Sequence, residues 1–198
     1  MFALTYIAPL VAAAYTLFFL YDWRLASGRG NTGSLAVFGT GCILVVVATA
    51  FLLATQLPWC PWDALSLVFL ALALVSAALM IKALFFSLPA HTYTAPGQAR
   101  HTYARGMYAL CRHPGVLWYC LMFASLAIML RTPAATAGCC ILCIGDIAYM
   151  VFQDVWSFPR IFCDYAEYQR NVPFFLPTRA SVHAAFAMDG SKADGGRA

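Results

Sequence analysis

Residues 64–88 read ALSLVFLALALVSAALMIKALFFSL, an apolar run whose only charge is Lys82. A helix of about 20 such residues crosses the hydrocarbon core of a bilayer, which is about 30 Å thick. The whole chain has the same character, because 63% of its 198 residues are hydrophobic and 10% are charged. Soluble domains average about 45 to 50% apolar and about 25% charged residues. The sequence therefore predicts a membrane protein.

Four further apolar segments accompany this one, at 2–21, 35–57, 115–130 and 134–152. The last two are separated only by Arg131, Thr132 and Pro133, which predicts a tight helical hairpin. We expect an all-α fold, a polytopic membrane helix bundle with about five transmembrane helices and a C-terminal interfacial helix. Residues 1–178 should form one membrane-embedded domain, and 179–198 have the composition of a flexible tail.

Basic residues predict the orientation of the spans. The first and third loops contain Arg24, Arg29, Arg100, Arg105 and Arg112. The second loop has no basic residue and the fourth has only Arg131. The positive-inside rule then predicts an external N-terminus and a cytosolic C-terminus, in the plasma membrane of a bacterium or the endoplasmic reticulum of a eukaryote. Because this topology accounts for most of the net charge of +4, no nucleic-acid partner is expected.

Eight cysteines raise the question of a metal site. Most of them lie within apolar segments, where cysteine behaves as a small hydrophobe. Cys139, Cys140 and Cys143 have a spacing like that of metal ligands, but no pair of histidines follows them at the spacing of a zinc site. No metal site is therefore predicted.

Polar residues concentrate in 91–115, HTYTAPGQARHTYARGMYALCRHPG, ahead of the fourth apolar segment. Pro114 is suited to the first position of a helix, where free backbone donors and the helix dipole favour an anion. Arg112 adds a positive charge suited to a carboxylate or phosphate. We interpret Arg112, His113 and Pro114 either as a pocket for an anionic group or as a juxtamembrane contact with lipid headgroups.

Asp146 lies inside the last apolar segment, where a carboxylate costs about 2.5 to 3.5 kcal/mol even on insertion scales. At helical spacing it shares a face with Tyr149, Met150 and Gln153. We expect this face to look inward, toward the segment that carries His113. The alternative is that Asp146 pairs with a buried arginine or is protonated.

The chain after this segment, beginning at Ser157 and Pro159, predicts an amphipathic helix on the cytosolic interface. Arg160 and Asp164 would form an ion pair at i, i+4 on its polar face. Its tyrosines, at positions 165 and 168, are interpreted as interfacial anchors.

The stretch 101–115, HTYARGMYALCRHPG, is followed after two apolar helices by an acidic position and by 164–177, DYAEYQRNVPFFLP. This order resembles the isoprenylcysteine carboxyl methyltransferases and related membrane phospholipid methyltransferases. The resemblance implies S-adenosylmethionine as the cofactor, bound on the cytosolic side within 98–178. It also implies a lipidic substrate, a prenylcysteine carboxylate or a lipid headgroup, that enters from the bilayer among the membrane lipids.

Carried over to this chain, the cofactor-binding positions of that family fall in four places. They are His101, Thr102, Tyr103, Ala104, Tyr108, Arg112, His113, Pro114, Gly115, Val116 and either Gln153 or Asp154. Methyl transfer to an amine also needs a base, and His113 or Asp154 is the predicted catalytic residue. The chain departs from the family at Val116 and Trp118, where the family has tyrosine and glycine, and at Met150, near a family arginine.

Two other classes share parts of this pattern. Membrane steroid reductases have a similar Arg-His-Pro signature, and the phosphates of their NADPH would suit Arg112 and Arg105. Haem-binding membrane proteins would use His113 as one axial ligand. His91, His101 and His183 would then be the candidates for the second ligand.

Overall fold

The structure, a computed structural model, describes residues 2–30, 32–87, 100–183 and 185. Within these ranges the chain forms helices and no strand, apart from one isolated parallel bridge between Arg100 and Phe162. The principal helices are α1 (Phe2–Ala26), α2 (Thr32–Gln56), α3 (Ala64–Ile81), α4 (Met107–Leu110), α5 (Pro114–Leu130), α6 (Pro133–Phe152), α7 (Phe158–Ile161) and α8 (Tyr165–Asn171). The predicted all-α helix bundle is confirmed.

Four helical stretches are long and apolar enough to cross a membrane: Leu4–Ala26, Gly33–Trp59, Ala64–Phe86 and Pro133–Ile161. The chain is therefore a membrane protein. The predicted fourth span, α5, has 17 residues and is about 25 Å long at 1.5 Å per residue, which is less than the thickness of the hydrocarbon core. Pro114 fixes its start and the left-handed Arg131 (φ 51°) fixes its end.

Helix packing places the core between α1, α2, α5 and α6. α1 packs against α2 and α6, and α5 packs against α3 and α6. Fully buried side chains of four helices, Ile7, Leu52, Phe123 and Leu142, meet there. The outer faces are apolar as well, as in the 66% exposed Ile144, which is the pattern expected of helices that face lipid rather than water.

The predicted hairpin between α5 and α6 is confirmed. Thr132 caps α6 by accepting a hydrogen bond from the backbone N–H of Ala135 (3.1 Å), and Pro133 occupies the first helical position. Arg131 donates to Asp63, the N-cap of α3, so the hairpin is tied to a third helix. The Arg131 guanidinium lowers the pKa of Asp63 to about 2.

The predicted interfacial helix is broken into two short pieces. α6 continues through a π-helical turn, Gln153–Ser157, into α7, and the chain then turns before α8 begins. The predicted pair of Arg160 with Asp164 does not form, because Arg160 donates to the carbonyl oxygen of Trp156 (2.7 Å). Asp164 accepts instead from the backbone N–H of Thr102 (2.8 Å). The break therefore serves to join α8 to the segment before α4.

The tyrosines of α8 also differ from their interpretation as interfacial anchors. Tyr165 is 2% exposed and Tyr168 is 7% exposed, and both belong to a small buried cluster with Val172. Residues 179–183 and 185, assigned from the sequence to the flexible tail, are helical. Residue 184 and residues 186–198 lie outside the described part of the chain, as do residues 88–99, which include the candidate His91.

Candidate functional site

Two segments far apart in sequence lie side by side at the α5 start. The bridge between Arg100 and Phe162 aligns them, and the backbone N–H of Cys163 donates to the carbonyl oxygen of Arg100 (3.0 Å). Asp164 Oδ1 then accepts from the N–H of Thr102 (2.8 Å). These contacts fix the backbone of 100–104 against the turn between α7 and α8.

Tyr108 lies between α8 and the end of α3. Its hydroxyl donates to the carbonyl oxygen of Ala83 (3.1 Å), and its own carbonyl oxygen accepts from the hydroxyl of Tyr168 (2.8 Å). Gly106 permits this placement, because it begins α4 with a positive φ of 57°, a conformation that glycine adopts without strain.

Arg112 is the centre of a buried network. Its Nε and Nη2 donate to the two carboxylate oxygens of Asp154 (2.8 and 2.9 Å), a bidentate pair. Nη1 donates to the carbonyl oxygens of Gln169 (3.0 Å) and Val172 (2.9 Å). The side chains of the pair are only 10% and 7% exposed. The predicted anion at Arg112 is thus the protein's own carboxylate, and the pair connects α5, the end of α6 and α8.

Asp154 has further donors besides Arg112. The hydroxyl of Tyr165 (2.7 Å) and Nε2 of His113 (3.2 Å) both lie on Oδ1, and Nε2 of Gln169 (3.2 Å) lies on Oδ2. Such complete pairing is what allows a carboxylate to remain ionised in a buried place. Both carboxylate oxygens are engaged by protein donors, so the geometry of Asp154 suits positioning of the surrounding residues.

His113 is 5% exposed and its ring stacks on Phe158, with 5.8 Å between the ring centres. Burial lowers the pKa of His113, although Asp154 acts in the opposite direction. The neutral ring then donates from Nε2 to Asp154. His113 is therefore part of the wall behind Arg112.

A pocket of about 110 Å³ opens in front of this network. Six aromatic side chains line it together with Thr102 and Arg112: Tyr103, Tyr108, Phe158, Phe162, Tyr165 and Tyr168. We call this space the aromatic pocket. Its lining suits a flat ring or an organic cation, both of which bind to aromatic faces.

A second pocket of about 250 Å³ shares Thr102 and Tyr168 with the aromatic pocket. Its other lining residues are Ala104, Asp164, Glu167, Asn171 and Val172. We call this space the polar pocket. Because two residues belong to both, the pockets are adjacent, with aromatic rings on one side and carboxylates and an amide on the other.

The structure brings together many of the predicted cofactor residues. Thr102, Tyr103, Tyr108 and Arg112 line the aromatic pocket, and Ala104 lines the polar pocket. The two predicted catalytic residues, at 113 and 154, lie behind Arg112 and line neither of these two pockets. His101 is exposed and faces Asp164.

The remaining predicted residues lie at the α5 start or elsewhere. Pro114 and Gly115 are buried, and a Cβ on Gly115 would lie 2.9 Å from Leu84 Cδ2, so this glycine permits close packing on the end of α3. Val116 is partly buried in the first turn. Gln153 lies apart, because its side chain donates to Asp22 of α1 (3.0 Å). Of the two candidate acids at 153 and 154, only Asp154 lies beside the site.

The face of α6 that carries Asp146 does not look toward His113. Tyr149, on that face, packs against Phe18 and Phe19 of α1, with ring centres 5.4 and 5.5 Å away. Asp146 likewise interacts with Tyr15 of α1. The face looks inward, as predicted, but its described contacts go to α1 rather than to the segment that carries His113.

Sequence reasoning missed several lining residues. Phe158 and Phe162 repeat at helical spacing, and Tyr165 and Tyr168 follow them. The sequence analysis assigns only the two tyrosines to membrane anchoring, although the spacing of all four rings is also compatible with rings that meet inside a site. Glu167, which lines the polar pocket, is not distinguished by the sequence from other charged residues of an amphipathic helix.

No protein-family model, curated protein or solved structure matches the chain. The residues of the two pockets are therefore the basis for proposing a ligand. They combine stacked rings with polar groups at one end of an apolar helix bundle. A molecule that suits both pockets has a flat or cationic part and a hydrogen-bonding part.

Proposed function

We propose that the protein is an integral-membrane methyltransferase that transfers a methyl group from S-adenosylmethionine to a lipidic acceptor. The observation that carries this proposal is the convergence of Thr102, Tyr103, Tyr108 and Arg112 on one aromatic pocket. All four are positions at which the resemblance to the isoprenylcysteine and phospholipid methyltransferases implies cofactor contacts.

The residues of the two pockets fit the parts of the cofactor. The rings of Tyr103 and Phe162 in the aromatic pocket suit the adenine by stacking and the sulfonium by cation–π attraction. Glu167 and Asn171 in the polar pocket suit the ribose hydroxyls and the amino group, for which carboxylates and amides are common partners. Neither pocket alone has the volume typical of a drug-sized ligand, about 300 to 1,000 Å³, so binding uses both.

When bound, S-adenosylmethionine supplies an electrophilic methyl group on a positively charged sulfur. The role of the protein is to orient that group and to exclude water, which supplies most of the acceleration in a displacement of this type. Tyr108 is held by hydrogen bonds from both sides, and Arg112 is held by Asp154. These two lining residues are therefore held in place by contacts within the protein.

The contacts of His113 and Asp154, which lie behind Arg112, indicate which kind of methyl acceptor the site suits. An amine acceptor must lose a proton to a base, whereas a carboxylate acceptor is already nucleophilic. His113 Nε2 and the oxygens of Asp154 are engaged with each other and with Arg112. We therefore assign both residues a positioning role, and we favour a carboxylate acceptor on a lipidic or prenylated molecule over an amine headgroup.

The position of the pocket supports a cytosolic site. The pocket end of α5 has Arg100, Arg105 and Arg112 close by in sequence, and the opposite loop has only Arg131. By the positive-inside rule this distribution favours a cytosolic pocket near the lipid headgroups. This location gives a lipidic acceptor access from the bilayer.

The two alternative functions have less support. All the hydrogen bonds described for the Arg112 guanidinium go to protein acceptors, which leaves the phosphates of NADPH to Arg105. A haem ligand at His113 would have to break the contact with Asp154. Neither alternative is favoured by a specific contact of the described residues.

Titration calorimetry of the detergent-solubilised protein tests the proposal. We expect S-adenosylhomocysteine to bind and NADPH not to bind. Tyr103→Ala should weaken binding by about tenfold, because loss of a stacked ring costs about 1 to 3 kcal/mol. Trp59→Ala is the matched control, since Trp59 is 75% exposed beyond the other end of α5, and it should bind like the wild type.

Three outcomes would contradict the proposal. Absence of S-adenosylhomocysteine binding to the folded wild type would refute the methyltransferase assignment. Binding of NADPH instead would favour the reductase. Equal binding by Tyr103→Ala and the wild type would refute the assigned site while leaving the cofactor in place.

A further inference from the structure

Three side chains with metal-binding atoms meet at the outer edge of the polar pocket. His101 Nδ1 lies 3.3 Å from Asp164 Oδ2 and 3.4 Å from Cys163 Sγ. A nitrogen, a sulfur and an oxygen atom of these residues all lie within 4.8 Å of one another. None of the three belongs to the network around Arg112.

Hydrogen bonding accounts for part of this cluster, since the Cys163 thiol donates to the carbonyl oxygen of Arg100 (3.3 Å), but the approach of Cys163 Sγ to His101 Nδ1 is additional to that bond. Nδ1 of a histidine has either one proton or one lone pair, so it makes one good hydrogen bond. Here two partners, Asp164 Oδ2 and Cys163 Sγ, lie at nearly equal distances from it. A cation between the three atoms would satisfy all of them at once.

The two separations that His101 Nδ1 makes are those expected in a tetrahedral zinc site, and all three ligand atoms lie within 4.8 Å of one another. Bond lengths of about 2.3 Å to sulfur and about 2.0 to 2.2 Å to nitrogen and oxygen give ligand separations of about 3.5 Å for S···N and about 3.3 Å for N···O. The observed separations are 3.4 Å for Cys163 Sγ to His101 Nδ1 and 3.3 Å for His101 Nδ1 to Asp164 Oδ2. A thiolate and an imidazole select zinc over magnesium or calcium, which prefer oxygen ligands.

Backbone contacts hold the ligands in place. Asp164 Oδ1 accepts from the N–H of Thr102 (2.8 Å), which leaves Oδ2 for the metal. The N–H of Cys163 donates to the carbonyl oxygen of Arg100 (3.0 Å). Such outer contacts orient the ligands of metal sites. The bridge between Arg100 and Phe162 keeps the two ligand segments aligned, although they lie more than sixty residues apart in sequence.

We propose that His101, Cys163 and Asp164 bind one Zn²⁺, with water as the fourth ligand. On binding, the thiol proton that Cys163 otherwise donates to the carbonyl oxygen of Arg100 (3.3 Å) passes to solvent. The metal ties the segment before α4 to the turn before α8, and so it stabilises the edge of the polar pocket. The site does not depend on methyl transfer and would exist whatever ligand the pocket takes.

Zinc content of the purified full chain tests the site. After loading with zinc and extensive dialysis, we expect one zinc per chain in the wild type and less than a tenth of that in Cys163→Ser and His101→Ala. Cys140→Ser is the matched control, because Cys140 is also exposed but lies on α6, and it should retain the metal. A wild type without zinc, or a Cys163→Ser variant that retains it, would overturn the proposal.

A second measurement needs no variant. The rate of alkylation of each exposed cysteine is followed by mass spectrometry of the wild type, with zinc and with a chelator. Zinc should slow modification of Cys163 at least tenfold and leave Cys140 unchanged, because a metal-bound thiolate is a poor nucleophile. Equal rates at Cys163 in both conditions would contradict the site, even if S-adenosylhomocysteine binds as proposed.

Discussion

Removal of the Arg112 side chain tests the idea that one ion pair holds the C-terminal segment on the helix bundle. Arg112→Ala deletes the bidentate pair with Asp154 and both bonds to the carbonyl oxygens of Gln169 and Val172. Removing one partner of a buried ion pair costs about 3 to 5 kcal/mol, because the other charge stays buried and unpaired. The side chains are 10% and 7% exposed, so solvent screening is small.

Arg112→Ala should lower the free energy needed to detach α8 from the bundle, because the lost bonds join α8 and its following loop to the start of α5. A change of about 3 kcal/mol corresponds to about a hundredfold larger open population. Chymotrypsin reports that population, since it cleaves after Tyr165 and Tyr168, which are 2% and 7% exposed in the closed form. Where closing is faster than cleavage, the cleavage rate follows the open population. We expect cleavage at these tyrosines to accelerate about a hundredfold.

Arg170→Ala is the control for this experiment. Arg170 lies on the same helix and is exposed, so its removal should change stability by less than about 0.5 kcal/mol. Asp154→Asn should resemble Arg112→Ala, because it leaves the guanidinium unpaired. If Arg112→Ala is cleaved as slowly as Arg170→Ala, the ion pair does not hold the segment and the reasoning fails.

Two further predictions concern the helix packing and the buried histidine. Gly145→Ala should destabilise the bundle by about 1 to 3 kcal/mol, because its Cβ would lie 2.5 Å from the ring of Tyr15. Gly39→Ala is the control and should be neutral or stabilising, because no atom lies within 4 Å of its added Cβ. Unfolding in detergent measures both variants, and equal effects would contradict the close approach of Gly145 to Tyr15. Burial lowers the pKa of His113 in the folded state, so its contribution to stability is complete above the unfolded value near 6.5 and is lost as the pH falls through the folded value. A His113→Asn variant should therefore lose less stability than the wild type between pH 7.5 and 5.5, and parallel pH profiles would contradict this.

The membrane helices were predictable because one physical requirement dominates them. A membrane span must form its backbone hydrogen bonds within the helix and expose apolar side chains to lipid. A long apolar run without charges meets both requirements and is visible in the sequence. The hairpin was predictable too, since Pro133 and the short polar loop leave no other geometry. The length of α5 was predictable as well, because the apolar segment 115–130 differs from the observed helix, Pro114–Leu130, by one residue.

Some features of the site follow from neighbouring residues in the sequence, and others depend on contacts between distant residues. The helix start at Pro114 and the nearby aromatic residues follow from local sequence. The partner of Arg112 does not, because Asp154 lies 42 residues away and several acids were available. Position on a helix face could not settle the choice between Gln153 and Asp154. Successive residues of a helix point about 100° apart, so Gln153 reaches Asp22 of α1 while Asp154 reaches Arg112.

This division also explains why Asp164 was assigned to the wrong partner. At i, i+4 from Arg160 it satisfies the rule for a helical ion pair, but such a pair is worth only about 0.3 to 0.5 kcal/mol on an exposed helix. A hydrogen bond from the backbone N–H of Thr102 to the carboxylate, at 2.8 Å, belongs to the stronger charge-assisted class. The stronger contact prevails, the helix breaks, and the same break places Cys163 beside His101. The proposed zinc site is thus a consequence of the contact that the local rule did not foresee.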